Sequence, residues 1–455
     1  MFSRVSSWST TSLLLIAVFC IGLVATTPYH VLAVQIEPAT EEDPLSVILM
    51  IGDGMGYEHV KLARWVEVGR NGMLRMERYD FAASVLTHSL NEQITDSAAA
   101  ATALATGNKT NNSMLSVSPS GERLETILEI AEEREKATGV VSTCFVQHAT
   151  PAGFYAHVEN RGHYYEIARQ AVEEASVDVI MGGGTRYFNS SQLITMEGAG
   201  YDIVTNRSQL LSTTSTRILG LFADSHMDFE RDRDYEETPS LAEMTDKSID
   251  VLSQDSDGFF LMVEGGRIDH AGHDNDKVDD ALDTIAFDNA VGVAIDYIRS
   301  HPNTILLVTA DHECGGLTVM NGTLNDTLPN SSMDEDGNRS LRIERVNNIT
   351  VSWSSDYHTA APVPLYCFGD VFASLPANHT IDNTDMFHLM DDYYAGEQLS
   401  IINVTTSTTT TTTTTTETTT AIDTTPPAIS PIVLAALVLI PVLVIAVIFL
   451  VRRYR

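Results

Sequence analysis

Val47-Ile48-Leu49-Met50-Ile51-Gly52-Asp53-Gly54-Met55-Gly56 decides the architecture: an unbroken apolar run of strand length dissolves into glycines that enclose one carboxylate. A strand with no polar face belongs in a sheet covered on both sides. The glycines loosen the chain at the strand's carboxyl end, where open α/β sheets hold their ligands. They miss the dinucleotide fingerprint, because the third glycine would fall at position 57, and that residue is Tyr57. Two more runs repeat the pattern. Residues 259–263 lead into Glu264-Gly265-Gly266-Arg267-Ile268-Asp269-His270-Ala271-Gly272-His273, and 305–308 into Thr309-Ala310-Asp311-His312-Glu313. Helical stretches lie between strand-like ones. Residues 122–135 set Leu124, Ile127, Leu128 and Ala131 on one apolar face, and 164–175 form another helix. Val177-Asp178-Val179-Ile180-Met181 runs into Gly182-Gly183-Gly184, which reads as a backbone-packing device, since no Lys-Ser/Thr follows. Strands alternating with helices predict an α/β fold, a three-layer sandwich around a large, mainly parallel central sheet.

Thr95-Asp96-Ser97-Ala98-Ala99-Ala100-Ala101-Thr102 places a hydroxyl at the start of an alanine-rich helix. Backbone N–H groups there lack intrahelical partners, and the helix dipole is positive. Phosphate suits such a place. Taken alone, the same residues read as an N-cap ahead of a good helix former. Asp53, Asp269, His273, Asp311 and His312 at the three strand ends form the mixed oxygen and nitrogen set that zinc accepts. Any one of them could be an ion-paired or capping side chain. Three clusters at successive strand ends mark a metal centre.

With these motifs the chain resembles the alkaline phosphatases, from about Leu45 to about Gly369. The resemblance implies an alkaline phosphatase-like fold, hydrolysis of small-molecule phosphate monoesters, and a site of two Zn2+ and one Mg2+. By that resemblance Ser97 is the phosphorylated nucleophile, and Arg161, in Val158-Glu159-Asn160-Arg161, clamps phosphate. Asp53 bridges one zinc and the magnesium, whose other ligands are Glu264 and Thr150, in Val146-Gln147-His148-Ala149-Thr150-Pro151. Asp269, His273 and His358, in Tyr357-His358-Thr359-Ala360, match the first zinc's ligands, and Asp311 and His312 match the second's. His148 and His270 tune water and phosphate from behind the ligands, and they leave the third site open to magnesium or zinc. There are departures: Ala360 follows the His-Thr pair where glycine is common, and Cys314 stands where threonine is frequent. Cys314 reads as a small buried residue under the site. A homodimer is implied by the resemblance alone.

The 455-residue chain carries a formal net charge of −34. That excludes nucleic-acid binding through a basic surface and predicts an acidic, self-repelling exterior. Three divalent cations and Arg161 would still make the pocket positive. Residues 1–33 read as a cleaved signal peptide, with Arg4 ahead of an apolar stretch and small residues around Ala25 and Ala33. Residues 34–396 form the catalytic domain. Residues 397–430, nearly all threonine in their middle and followed by Pro426-Pro427, form an O-glycosylated stalk. Residues 431–451 are apolar and long enough to span a bilayer, and the basic tail 452–455 closes the span by the positive-inside rule. These ends predict a single-pass type I protein of the cell surface. A glycolipid-anchor signal is the alternative, although a basic tail is unusual for one.

Asn108, Asn111, Asn189, Asn206, Asn321, Asn325, Asn330, Asn338, Asn348, Asn378 and Asn403 each open an Asn-x-Ser/Thr sequon. Those within 321–348 predict a glycan-covered surface excursion. After signal removal Cys144, Cys314 and Cys367 remain, so at most one intrachain disulfide is possible; Cys144 and Cys367 read as buried free thiols. A sulfatase would need proline and arginine after its nucleophile, and Asp96-Ser97-Ala98-Ala99-Ala100 has neither. A phosphodiesterase more often carries threonine as nucleophile and needs no arginine clamp. A non-catalytic glycoprotein has no reason to keep every ligand position filled.

Overall fold

The computed structural model describes residues 44–399, apart from 325–326, 330–334 and 376–378. The signal peptide, the stalk from residue 400 on, the apolar run 431–451 and the basic tail lie outside the described residues, as do Asn325, Asn330, Asn378 and Asn403. Among the described residues no helix is long and apolar enough to cross a membrane.

Among the described residues fourteen strands are formed: β1 (Ser46–Gly52), β2 (Phe81–Leu86), β3 (Ala137–Phe145), β4 (Val179–Gly183), β5 (Asp202–Val204), β6 (Ile218–Leu221), β7 (Phe259–Gly265), β8 (Thr304–Thr309), β9 (Glu313–Cys314), β10 (Thr318–Gly322), β11 (Ile349–Ser352), β12 (His358–Thr359), β13 (Val363–Phe368) and β14 (His379–Asp382). Ten of them build one sheet in the order β14-β2-β13-β8-β1-β7-β3-β4-β6-β5. Every pairing is parallel except those of β13 with β2 and β8. β1, β7 and β8, the three apolar runs, are buried at every position. They sit side by side because only the middle of a doubly covered sheet removes both faces from water. The helices cover the sheet in two groups. Tyr57–Glu67, Leu241–Leu252, Lys277–Ile298 and Glu335–Asn347 pack together, and so do Ser97–Thr106, Ile127–Glu133, Ala149–Ala152 and Asp385–Tyr394. This is the expected α/β sandwich.

Register brings the strand ends level. Ile51 lies opposite both Glu264 and Thr309, and Glu264 lies opposite Ser142. The loops that follow β8, β1, β7 and β3 therefore open side by side at one edge.

Two expectations need correction. The helix expected over 122–135 runs only over Ile127–Glu133. Thr126 caps it, accepting from the Glu129 N–H while the Glu129 carboxylate accepts from the Thr126 N–H. Leu124 lies ahead of the helix, its N–H donating to Ser116 O. The second concerns 321–348, which is more than an exposed excursion. Its helix Glu335–Asn347 docks on the body through buried Val346 and Arg345, whose guanidinium donates to the carbonyls of Trp65 and Val66.

Candidate active site

Four carboxylates meet at the level strand ends. Asp53 follows β1, Glu264 ends β7, Asp269 lies in the helix Arg267–Asp274, and Asp311 follows β8; all are buried. Asp311 Oδ1 accepts from the N–H groups of Gly54 and His312, at 3.1 and 2.9 Å, which ties the β1 and β8 loops together. Ser142 donates to Glu264 Oε2, and Thr150 donates to Asp53 Oδ2 at 3.4 Å. Their other oxygens, Asp53 Oδ1, Glu264 Oε1, Asp269 Oδ1 and Asp311 Oδ2, have no hydrogen-bond partner among the described residues. Burial, then repulsion from Asp311, pushes the Asp53 carboxyl well above the usual range. Burial lifts Glu264 to about 7 against the hydrogen bond from Ser142, and lifts Asp311 to about 6, with Asp269 adding to it. Orphaned oxygens on clustered buried acids are the signature of a place built for cations.

Imidazoles complete the donor set. His312 Nε2 lies 3.5 Å from Asp53 Oδ1 and 3.2 Å from Asp311 Oδ2. Asp269 faces His273 and His358, each at 3.4 Å through Nε2, and the two Nε2 atoms are 3.2 Å apart. The far nitrogens are held by backbone: His273 Nδ1 is 2.7 Å from Asp356 O, and His358 Nδ1 is 2.9 Å from Thr95 O. A ring fixed through Nδ1 presents Nε2, the usual posture of a metal-binding histidine. Burial opposes ionisation of Asp269, but His358, His312 and His273 outweigh it and hold this carboxyl well below its ordinary value. Asp53, Asp269 and His312 offer atoms within 4.8 Å of one another, as do Asp269, His273, Cys314 and His358. The oxygen-only trio of Asp53, Thr150 and Glu264 fits magnesium, and the two carboxylate–imidazole groups fit zinc.

Ser97 sits above these groups. The helix Ser97–Thr106 is capped by Asp96, whose Oδ1 accepts from the Ala99 N–H at 3.1 Å, and Gly107 ends it at φ 68°. Because Asp96 takes the capping role, the Ser97 hydroxyl is left free, and its Oγ lies 3.2 Å from His312 Nε2. The other Asp96 oxygen accepts from Arg161 Nη1 at 3.1 Å and from the Ser113 N–H. Arg161 Nη2 in turn donates to His148 Nε2 at 3.1 Å. Burial, and then Arg161, hold His148 well below its usual pKa, so it is neutral.

The structure thus brings together every side chain singled out from the sequence, with His270 at the margin, its ring 5.9 Å from that of His148. Sequence reasoning missed three neighbours. Asp96 was visible beside Ser97, but its grip on Arg161 spans 65 positions and leaves no local pattern. Ser142 sits two places before Cys144 on β3, and nothing marked it as the support of Glu264. His226 lies in the loop after β6, its ring 4.4 Å from His270 and 5.5 Å from His148.

The asparagines of the sequons within the described residues are exposed or half-buried. Asn189 and Asn206 also cap helices, through Oδ1, which leaves Nδ2 out of the capping bond. Cys144, Cys314 and Cys367 are free and buried.

A mainly parallel sheet whose central strands end in converging carboxylates and imidazoles, with a serine-led helix beside them, defines an α/β protein whose site has the donor set of a metal centre. Residues 45–338 match the family profile of alkaline phosphatase. The chain belongs to the alkaline phosphatase family. It is 40% identical to alkaline phosphatase 4 of Bacillus subtilis over 288 residues, which are 60% of this chain and 62% of that relative. It is 32% identical to the streptomycin-6-phosphate phosphatase of Streptomyces griseus over 409 residues, covering 75% of this chain and 88% of that one. Among solved structures, the alkaline phosphatase of the Antarctic bacterium TAB5 superposes with a TM-score of 0.66 at 30% identity, covering 78% of this chain and all of its own. A histidine-to-aspartate variant of that phosphatase carries magnesium in its M3 site.

Proposed function

We propose that this chain hydrolyses phosphate monoesters through a phosphoserine on Ser97. The observation that carries the reading is the pairing at one helix start. Ser97 Oγ faces His312 at 3.2 Å, while Arg161 is tethered to the adjoining Asp96. Ser97 attacks phosphorus as the ester oxygen leaves, and water then takes the phosphoryl group and releases orthophosphate. Arg161 offers two N–H groups to two phosphate oxygens, a fork that lysine lacks. Asp96 aims that fork, and its negative charge keeps the guanidinium in place when no substrate is bound. The N–H groups at the start of the helix face the same anion.

Asp269, His273 and His358 would hold one zinc, Asp311, His312 and Asp53 a second, and Asp53, Thr150 and Glu264 a magnesium ion. When bound, these cations supply the charge that makes a serine hydroxyl nucleophilic and neutralises the leaving oxygen. His148 and His270, neutral and adjacent, line the pocket wall beside water and phosphate.

The apolar run 431–451 with its terminal arginines supports a membrane-anchored, outward-facing enzyme, and the sequons support a secreted route. The family supports a homodimer.

The test compares the purified full-length chain with Ser97→Ala, on a chromogenic phosphate monoester, with zinc and magnesium and then with a chelator. Metal-dependent turnover that falls by at least ~1,000-fold in Ser97→Ala is expected, as for loss of an activated nucleophile. Equal rates from both proteins, or a metal-replete wild type that turns over diesters alone, would overturn the reading.

A further inference from the structure

β3 ends, across a register shift between Val141 and Phe145, with two small side chains, Ser142 and Cys144, the Cys144 N–H donating to Ser142 Oγ at 2.7 Å. Ser142 is used by Glu264. Cys144 is not used: it is fully buried, in no disulfide, and its Sγ lies within 4.8 Å of donor nitrogens of His226 and His270. The three donors come from three elements, β3, the loop after β6, and the helix Arg267–Asp274.

The loop is held where it is. Met227 N–H donates to Thr143 O at 3.0 Å, and Gly184 N–H to Ala223 O at 2.9 Å. A Cβ at Gly183 would stand 1.8 Å from Ser225 O, so only glycine admits the loop this close. The triple glycine read from the sequence as a packing device thus delivers His226 to Cys144.

The cluster is polar and unsatisfied. His226 Nδ1 is buried without a hydrogen-bond partner, and neither His226 nor His270 has an acidic ion-pair partner among the described residues. An orphaned buried nitrogen beside a free thiol is costly unless something occupies the space between them. Phe145, its ring 4.5 Å from that of His226, closes one side. Arg267 Nη1 donates to His270 Nδ1 at 3.0 Å while its guanidinium lies over Phe229. Loading the site through Nε2 turns Nδ1 into a donor, so Arg267 then keeps only its stack on Phe229.

We propose that Cys144, His226 and His270 form a fourth cation site, distinct from the three that the family implies, binding Zn2+ through one thiolate and two imidazoles with a position left for water. Sulfur and imidazole select zinc and reject magnesium, while the all-oxygen set of Asp53, Thr150 and Glu264 does the reverse. Cys144 Sγ also approaches Glu264 and His148 within 4.8 Å, so the two sites share a wall and differ in softness. The assignment needs only these three donors and stands whether or not Ser97 is the nucleophile.

The test strips the full-length chain of metal and titrates it with Co2+, following the sulfur-to-cobalt charge-transfer band, with zinc content measured in parallel. The band is expected to appear in the wild type by the time cobalt has filled all four sites, and to vanish in Cys144→Ser and in His226→Asn while the other three sites still load. Each of these variants should also retain one equivalent less zinc after dialysis, and Cys314→Ser should keep the band. His226→Asn, on a half-buried loop, decides the matter if Cys144→Ser fails to fold. A wild type without the band, or a band that survives in His226→Asn, overturns the proposal. So does a band lost only in Cys314→Ser, because the sulfur would then belong to the Asp269–His273–His358 group.

Discussion

Asp96 shows how much one side chain can settle. It caps the helix Ser97–Thr106, frees the Ser97 hydroxyl and holds Arg161. Arg161 and Ser97 can therefore be tested separately through it. Arg161→Lys keeps a positive charge but loses the planar fork, and a hydrogen bond to a charged group contributes about 1.5–3 kcal/mol. KM for a phosphate monoester should rise roughly 10- to 100-fold, with a smaller change in kcat; equal KM values would show that Arg161 does not touch the substrate. Asp96→Ala should reproduce part of that rise and also destabilise the fold by about 0.5–2 kcal/mol through the lost cap, read as a lower urea midpoint. Residues of this kind divide by legibility. Asp53, Asp311 and His312 were readable because an apolar strand points at each. Asp96, Ser142 and His226 were not, because their partners lie far away in sequence and each is an ordinary polar residue until the fold is closed.

Elements were legible where burial is continuous and harder where capping decides. β1, β7 and β8 follow from unbroken apolar runs, since no other placement hides both faces. The helix Ile127–Glu133 was read too long because Leu124 falls on its apolar face, whereas the Thr126–Glu129 capping box starts it later. β13, which in the ten-stranded sheet runs antiparallel to both its neighbours, carries nothing in its own sequence that reveals its direction. The same short helix offers a test of packing. Glu132 is pushed up to about 7 by burial, with Glu129 and Asp178 adding repulsion and contacts to Ser176 and Thr138 opposing. A folded pKa above the unfolded value means that the native state binds the extra proton. Stability therefore falls as pH rises from about 4.5 toward 7 and stays reduced above it. Glu132→Gln should raise the unfolding temperature at pH 8 and leave it nearly unchanged at pH 5. The gain is on the order of 1 kcal/mol once the side chain's partial exposure is allowed for. A gain of equal size at both pH values would mean that charge is not the cause.

Across the whole molecule, the ends of three central strands gather four carboxylates that crowd one another, and the surface carries the same sign, with a net charge of −34. Such a fold is at odds with itself at alkaline pH unless cations lie between the strand ends. Any ion that binds only the native state stabilises it by RT ln(1 + [L]/Kd), about 4 kcal/mol per site at a thousandfold excess over Kd. Two or more such sites make removal of metal expensive: a chelator should lower the unfolding temperature at pH 8 on the order of 10 °C. Asp53 distinguishes this from non-specific salt loss. In the metal-free protein its carboxyl is held well above the usual range by burial and by Asp311, so its ionised form opposes folding throughout the alkaline range. Asp53→Asn removes that charge but keeps the shape. Without metal, the variant should therefore unfold at a higher temperature than the wild type. With zinc and magnesium the order should reverse, because the wild type gains ligand energy that the amide cannot supply. Calorimetry of both proteins, with and without chelator, reads the crossing directly. If Asp53→Asn is the less stable protein under both conditions, the carboxylate is held by contacts of its own and the strand ends do not depend on cations.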